Sequence, residues 1–262
     1  IIIVSESGFE TGAQIRDADT NAVLIGTALM KAKDPVRKLK ALRNTKVKIC
    51  GITSLEDAKA AVRLGADFLG FNFYNKSPRY ITPGQAADII RQLTNRVICV
   101  GVFVNESIGE VRRITEETGI DMVQLHGDES MEYCDELSNV SATGRPGIPI
   151  IKAFHVSDKK NKKPDVRAFR GFACLFDTDD RCFGGTGRCF DAGLIKGIKR
   201  KSFVSGGLTP RNVKGVVKAI DPFCVDVCSG VEKEGEKGRK DIGKMRMFIE
   251  AVNEDFYRGG QE

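Results

Sequence analysis

The sequence predicts an α/β protein: a closed (β/α)8 TIM barrel preceded by two orphan βα units from a second, incomplete barrel. Three observations predict the barrel. From residue 46 onward, eight short apolar runs alternate with helical patterns. Several runs are apolar at consecutive positions, as parallel strands covered on both faces must be. Glycine-bearing turns follow the last three runs, on the side of a barrel where ligands sit. A doubly wound sheet is the alternative, but it rarely needs eight such regular units.

The runs are "KVKIC" (46–50), "DFLGFNF" (67–73), "VICVGVF" (97–103), "DMVQLH" (121–126), "PIIKAF" (149–154), "FACLFD" (172–177), "SFVSGG" (202–207) and "CVDVCSG" (224–230). Their β-branched content favours strands over buried helices. The intervening segments carry helix starts: capping boxes at Thr53-x-x-Glu56 and Ser107-x-x-Glu110, and proline at the first helical position after Thr82 and Thr209. Apolar residues then recur at helical spacing, as Leu55, Ala58 and Val62 do in the first helix and Ile242, Met245, Ile249 and Val252 in the last. Two stretches, 138–148 and 178–189, are loop-like; the second follows the sixth strand, on the ligand face.

Composition narrows the function classes. Hydrophobic residues make up 41% of 262 and charged residues 29%, an ordinary globular balance with no run long enough to span a membrane and no basic-then-apolar leader. The net charge of +6 (41 basic minus 35 acidic) suits a small anionic ligand. Its densest cluster, "KKNKK" at 159–163, lacks interleaved aromatics and reads as a solvated loop, not a nucleic-acid face. Eight cysteines without a CxxC pair point to a reducing cytoplasm, and two histidines at no metal-like spacing argue against zinc.

In a barrel the C-terminal ends of the strands converge on one mouth. Cys50 ends the first strand, His126 the fourth and Asp177 the sixth. Each has a plain reading: a packed thiol, a satisfied polar residue lining the mouth, a loop cap. The turns "GGTG" (184–187), "SGG" (205–207) and "SG" (229–230) are individually weak, but at adjacent strand ends they can surround one phosphate. Arg79, in "YNKSPRYI" after the second strand, has a fork that can hold a carboxylate. Thiol, carboxylate, arginine and phosphate cradle together suit acid–base chemistry on a phosphorylated sugar.

The segments "VKICGIT", "GFNFYNKSPRYI", "VGVFVN", "VQLHGDE", "FDT…FGGTGRCFD", "VSGGL" and "VDVCSGVE" together resemble the phosphoribosylanthranilate isomerases of tryptophan biosynthesis, in order and spacing, over residues 46–252. The resemblance implies an Amadori rearrangement of N-(5-phosphoribosyl)anthranilate, with no cofactor. It implies Asp177 as general acid, Cys50 as thiolate base and Arg79 on the anthranilate carboxylate. Gly185, Thr186, Gly206, Gly207, Ser229 and Gly230 become the candidates for the phosphate cradle, with His126 lining the substrate site. Two positions depart from the family's usual pattern: Ala192 stands where Trp is frequent, and Cys228 where Ser is. Neither is the acid or the base, though either change could weaken substrate binding. A non-catalytic sugar-phosphate-binding barrel is the alternative function.

Residues 1–45 read as two βα units, "IIIVSESG" and "NAVLIGT" each ending in a glycine turn. They resemble the C-terminal quarter of indole-3-glycerol phosphate synthase, with Glu6, Ser7, Gly8 and Gly26 on its strand-end motif and Thr27 where serine is common. That resemblance implies a bifunctional fusion, divided here into a synthase remnant (1–45) and an isomerase barrel (46–262). Two βα units cannot close a barrel, so no synthase activity is expected without the missing portion.

Overall fold

The computed structural model describes residues 4–6, 22–31, 45–93, 97–139, 147–156, 164–178, 195, 198 and 200–258. Near the N-terminus, β1 (Val4–Glu6) and β2 (Ala22–Leu24) pair in parallel as a two-stranded sheet of their own, and α1 (Thr27–Met30) follows. Ser7, Gly8, Gly185, Thr186, Ala192, the 159–163 cluster and residues 179–189 of the predicted loop lie outside the described residues.

Eight parallel strands then close on themselves: β3 (Lys46–Cys50), β4 (Phe68–Asn72), β5 (Ile98–Phe103), β6 (Met122–Leu125), β7 (Ile150–Val156), β8 (Ala173–Thr178), β9 (Ser202–Ser205) and β10 (Cys224–Val227), with β10 hydrogen-bonded to β3. The predicted barrel is what forms. Five described helices lie between or after these strands: α2 (Leu55–Leu64), α3 (Pro83–Ile90), α4 (Ile108–Thr118), α5 (Met131–Ser138) and α6 (Val213–Ile220). A hairpin absent from the sequence expectation, β11 (Glu232–Lys233) with β12 (Glu236–Lys240), precedes the last helix, α7 (Ile242–Arg258).

Strand alternation separates two apolar layers. Phe68, Val100, Met122, Ile151, Leu175, Phe203 and Cys224 form a cluster built from strand and strand-edge residues, which is the barrel interior. Their strand neighbours, such as Leu69, Val123, Phe176 and Val225, join the larger cluster that includes Ala58, Val111, Ile114 and Phe248 from the helices. Because side chains alternate with period two, each interior run continues toward the mouth in steps of two. Lys48 leads to Cys50, Gln124 to His126, Leu175 to Asp177, Phe203 to Ser205, and Asp226 to Cys228.

Helix starts follow the expected chemistry with two corrections. Ser107 and Thr82 cap α4 and α3, and Thr82 completes a reciprocal capping box with Gln85 behind Pro83. The cap of α2 is Ser54, whose side chain accepts from Asp57 N, not Thr53; the Thr53 hydroxyl instead donates to the carbonyl of Gly238 at 2.6 Å. Pro210 opens a turn, and α6 begins only at Val213, after Asn212 has used its amide oxygen on Thr209 N. In α7, Met245, Ile249 and Val252 are buried as expected, whereas Ile242 at its start is 41% exposed.

Candidate active site

The mouth is organised from below by a buried cation. Lys48 is fully buried, and its ammonium donates to Asp226 Oδ2 at 2.7 Å and to Gln124 Oε1 at 2.9 Å. Burial works against that charge, but the Asp226 carboxylate and the Cys50 sulfur outweigh it, and the Lys48 pKa moves up. Burial also pushes Asp226 up to about 7 despite the ammonium beside it. Lys48 therefore stays cationic throughout the neutral range, directly beneath the thiol.

Cys50 stands two residues further along β3 and is half-buried. Its pKa falls well below the ordinary thiol value, first through a hydrogen bond from the Cys228 thiol and then through the charges of Lys48 and Lys240, which overcome the cost of burial. Gly70, opposite Cys50 on β4, makes room for the sulfur: a Cβ there would lie 2.6 Å from Cys50 Sγ. Gly51 is pinned between two other side chains. It holds φ +72°, and its Cβ position is 3.0 Å from both Arg79 Cγ and Cys228 Sγ.

A second chain of contacts starts from the same ammonium. With Gln124 Oε1 taken by Lys48, the amide nitrogen faces His126 Nδ1 at 2.9 Å. Nδ1 then accepts, so the ring proton sits on Nε2 and is donated to Asp177 Oδ2 at 3.2 Å. Ser205 donates to the other oxygen, Oδ1, at 2.6 Å. Burial alone would raise the Asp177 pKa, but the hydrogen bonds from His126 and Ser205 reverse this and lower it. Burial lowers His126 and the Asp177 carboxylate raises it, with a net rise. His155, exposed, comes to 3.9 Å from Asp177 Oδ2.

Arg79 is placed differently from the open fork expected of it. Its Nε and Nη2 both donate to Glu232, at 3.0 and 2.7 Å. Glu232 also takes Gly238 N at 3.1 Å and the Lys240 ammonium at 3.2 Å, so the hairpin holds Arg79 at the rim. Burial raises the Glu232 pKa, yet the Arg79 hydrogen bonds bring it below the usual carboxylate value.

Gly206 and Gly207 follow β9 with φ +92° and +57°, conformations suited to glycine. Ser229 and Gly230 open a 3-10 turn after β10. A Cβ on Gly230 would meet the Leu208 carbonyl at 1.9 Å, so the two turns pack backbone to backbone. The described part of the predicted cradle is thus one continuous surface of main chain. Among the described residues, no group of three or more His, Cys, Asp or Glu side chains could hold a metal, and no helix is long and apolar enough to cross a membrane.

The profile of the family described as N-(5'-phosphoribosyl)anthranilate (PRA) isomerase matches residues 47–251, the barrel from β3 into α7. The chain belongs to the PRA isomerase family. It is 42% identical to the N-(5'-phosphoribosyl)anthranilate isomerase of Thermotoga neapolitana, over 78% of this chain and 96% of that protein. It is 43% identical to the Geobacter sulfurreducens enzyme of the same name, over 78% and 96%. The crystal structure of the Thermotoga maritima isomerase superposes with a TM-score of 0.68 at 40% identity, covering 80% of this chain and 99% of that one. A further isomerase structure, in complex with reduced 1-(o-carboxyphenylamino)-1-deoxyribulose 5-phosphate, superposes at 0.67 with 38% identity, over 80% and 99%.

Within this PRA isomerase barrel, sequence placed Cys50, His126, Asp177, Arg79 and the 206–207 and 229–230 turns on one rim. It did not single out Lys48, Gln124, Asp226, Glu232 or Lys240. A signal was present for the first three: polar residues inside apolar strands, two positions before a residue at the mouth, face the interior by alternation alone. Glu232 and Lys240 carry no such signal, because they lie outside the apolar runs, on the hairpin that turns them inward.

Proposed function

We propose that the chain is a cofactor-free phosphoribosylanthranilate isomerase of tryptophan biosynthesis. It converts N-(5'-phosphoribosyl)anthranilate to 1-(2-carboxyphenylamino)-1-deoxyribulose 5-phosphate. The observation that carries the reading is the pairing, on one mouth, of a thiol with a depressed pKa and a carboxylate that receives a histidine proton. Asp177, once the His126–Asp177 pair has taken up a further proton, protonates the furanose ring oxygen. The C1–O bond breaks and C1 becomes a protonated imine. The Cys50 thiolate then takes the proton from C2, and the C2–H electrons form the C1–C2 double bond of an enolamine. Tautomerisation of that enolamine gives the 2-ketone.

Binding follows the same rim. The turns at Gly206–Gly207 and Ser229–Gly230 present main chain to the phosphate, with Gly185 and Thr186 assigned to the same cradle by resemblance alone. Arg79, braced by Glu232, orients the anthranilate carboxylate with its remaining nitrogen. The bound compound named for the solved relative carries both a phosphate and a carboxyl group, which supports this division.

The deciding experiment is the loss of fluorescence as freshly made N-(5'-phosphoribosyl)anthranilate is consumed, beside Cys50→Ala and Asp177→Asn. Turnover in the parent and near-abolition in both variants is expected. Undiminished turnover in Cys50→Ala would remove the base assignment, and a parent that binds product without turnover would be the non-catalytic barrel.

For residues 1–45 we infer a remnant of indole-3-glycerol phosphate synthase. The parallel β1–β2 pair, with Glu6 ending β1 and Gly26 following β2, supports this reading. Incubation with the isomerase product is expected to yield no indole-3-glycerol phosphate; its formation would overturn the assignment.

A further inference from the structure

We propose that Cys50 and Cys228 form a peroxide-reactive dithiol site: a hydroperoxide oxidises Cys50 to the sulfenic acid, and Cys228 closes it to a disulfide between the first and last strands of the barrel. The inference does not depend on what Cys50 does in turnover.

Strand register brings the two residues together. β10 pairs with β3 so that Asp226 lies opposite Lys48 and Val227 opposite Ile49, and Cys228 and Cys50 are the next residues along the two segments. Neighbouring strands run about 4.8 Å apart, inside the Cα separation of roughly 4.4–6.8 Å that a disulfide spans. Cys50 and Cys228 each stand two positions beyond Lys48 and Asp226, whose charged groups meet at 2.7 Å inside the barrel. Cys228 Sγ lies 3.0 Å from the Cβ position of Gly51, the residue next to Cys50.

The surroundings also select this pair. Both thiols are half-buried, whereas the other described cysteines, Cys99, Cys134, Cys174 and Cys224, are buried. Burial pushes Cys99 up to about 12 and Cys134 and Cys174 up to about 11, and raises Cys224 as well. Only Cys50 among the described cysteines moves toward the reactive thiolate. Cys228 is first held protonated by its hydrogen bond to Cys50 and by burial, against the pull of Lys240, 3.9 Å from its sulfur, and of Arg79. Conversion of Cys50 to a neutral sulfenic acid removes the neighbouring negative charge and leaves those two cations acting on Cys228.

The steps balance. The Cys50 thiolate attacks one oxygen of the hydroperoxide, the O–O bond breaks, and an alcohol (water, from hydrogen peroxide) departs with a proton. The Cys228 sulfur then attacks the Cys50 sulfur and expels hydroxide, which leaves as water with the Cys228 proton. Two thiols lose two electrons in all, and the hydroperoxide gains them.

The test is treatment of the full chain with equimolar hydrogen peroxide, alkylation of remaining thiols and peptide mapping by mass spectrometry without reduction. A Cys50–Cys228 linked peptide is expected as the main disulfide, cleared by dithiothreitol. In Cys228→Ser, Cys50 is expected to stop at the sulfenic acid and to be trapped by dimedone. In Cys50→Ser, Cys228 is expected to stay reduced. Linkage of Cys50 to Cys182 or Cys189, passage of Cys50 to the sulfinic acid in the unsubstituted chain, or oxidation of the buried cysteines ahead of Cys50 would each overturn the proposal. The unsubstituted arm decides it even if a variant fails to fold.

Discussion

His126 Nε2 donates to Asp177 Oδ2 across 3.2 Å, while Gln124 donates to Nδ1 of the same ring. With the imidazole neutral and Asp177 ionised, the pair can take up one further proton, and that proton is the one Asp177 delivers. Turnover needs that proton in place, so activity is present below the upper pKa of the pair and is lost as pH rises through it. Asp177 raises His126, which extends the active range upward. In His126→Asn the proton must stay on Asp177 alone, so the alkaline limb of kcat/KM is expected to move to lower pH. A loss of about tenfold or more at pH 8, shrinking toward pH 5.5, is the expected pattern. An unmoved limb would exclude His126 from the proton path.

The Lys48 ammonium lowers the Cys50 pKa and fixes Gln124. Lys48→Met removes both effects. The pH midpoint for Cys50 alkylation by iodoacetamide should rise, and the acid limb of kcat/KM with it, because less thiolate is present at any given pH below the midpoint. The variant also leaves Asp226 buried without its cation, a loss of about 3 kcal/mol in urea unfolding.

Asp226 gives stability a slope of its own. Its pKa in the fold, about 7, exceeds the ordinary 3.8, so the folded state holds this proton more tightly than the unfolded chain. The contribution is fully present below pH about 4 and is lost as pH rises through about 7. The difference in unfolding free energy between the parent and Asp226→Asn should therefore shrink from pH 4 to pH 7 and then level off. Paired urea titrations across that range measure it.

Arg79 meets Glu232 through two parallel N–H bonds. Lysine supplies one point charge and no fork, so Arg79→Lys should loosen the carboxylate subsite more than the chemistry. A rise in KM of about tenfold with a smaller change in kcat is expected. The reverse split would place Arg79 in the chemical step.

The barrel was legible because parallel strands buried on both faces leave continuous apolar runs, and eight of them fix the closure. Cys50, Asp177 and His126 were legible because each ends such a run. The electrostatics beneath them were not, since alternation turns Lys48, Gln124 and Asp226 inward but does not show that they meet one another across the barrel. The start of α6 is not legible, because Pro210 suits a turn as well as a first helical turn and the Asn212 side chain decides between them. The bracing of the Arg79 fork is not legible, because nothing in a linear sequence shows that the segment near residue 232, 153 residues away, folds back to fill it.

Lys48 and Asp226 are 178 residues apart in the chain, yet their strands are neighbours. Every feature that tunes Cys50 from that side, including Cys228 and Lys240, crosses the seam where the first barrel strand meets the last. The loop-closure entropy of that joint is among the largest the fold must overcome. A half-barrel should therefore show no graded fraction of the site's behaviour. Two complementary fragments, mixed, should acquire the acidic thiol and the perturbed carboxylate together, at the moment the ring shuts. The chemistry of the mouth doubles as a reporter of whether the barrel is closed.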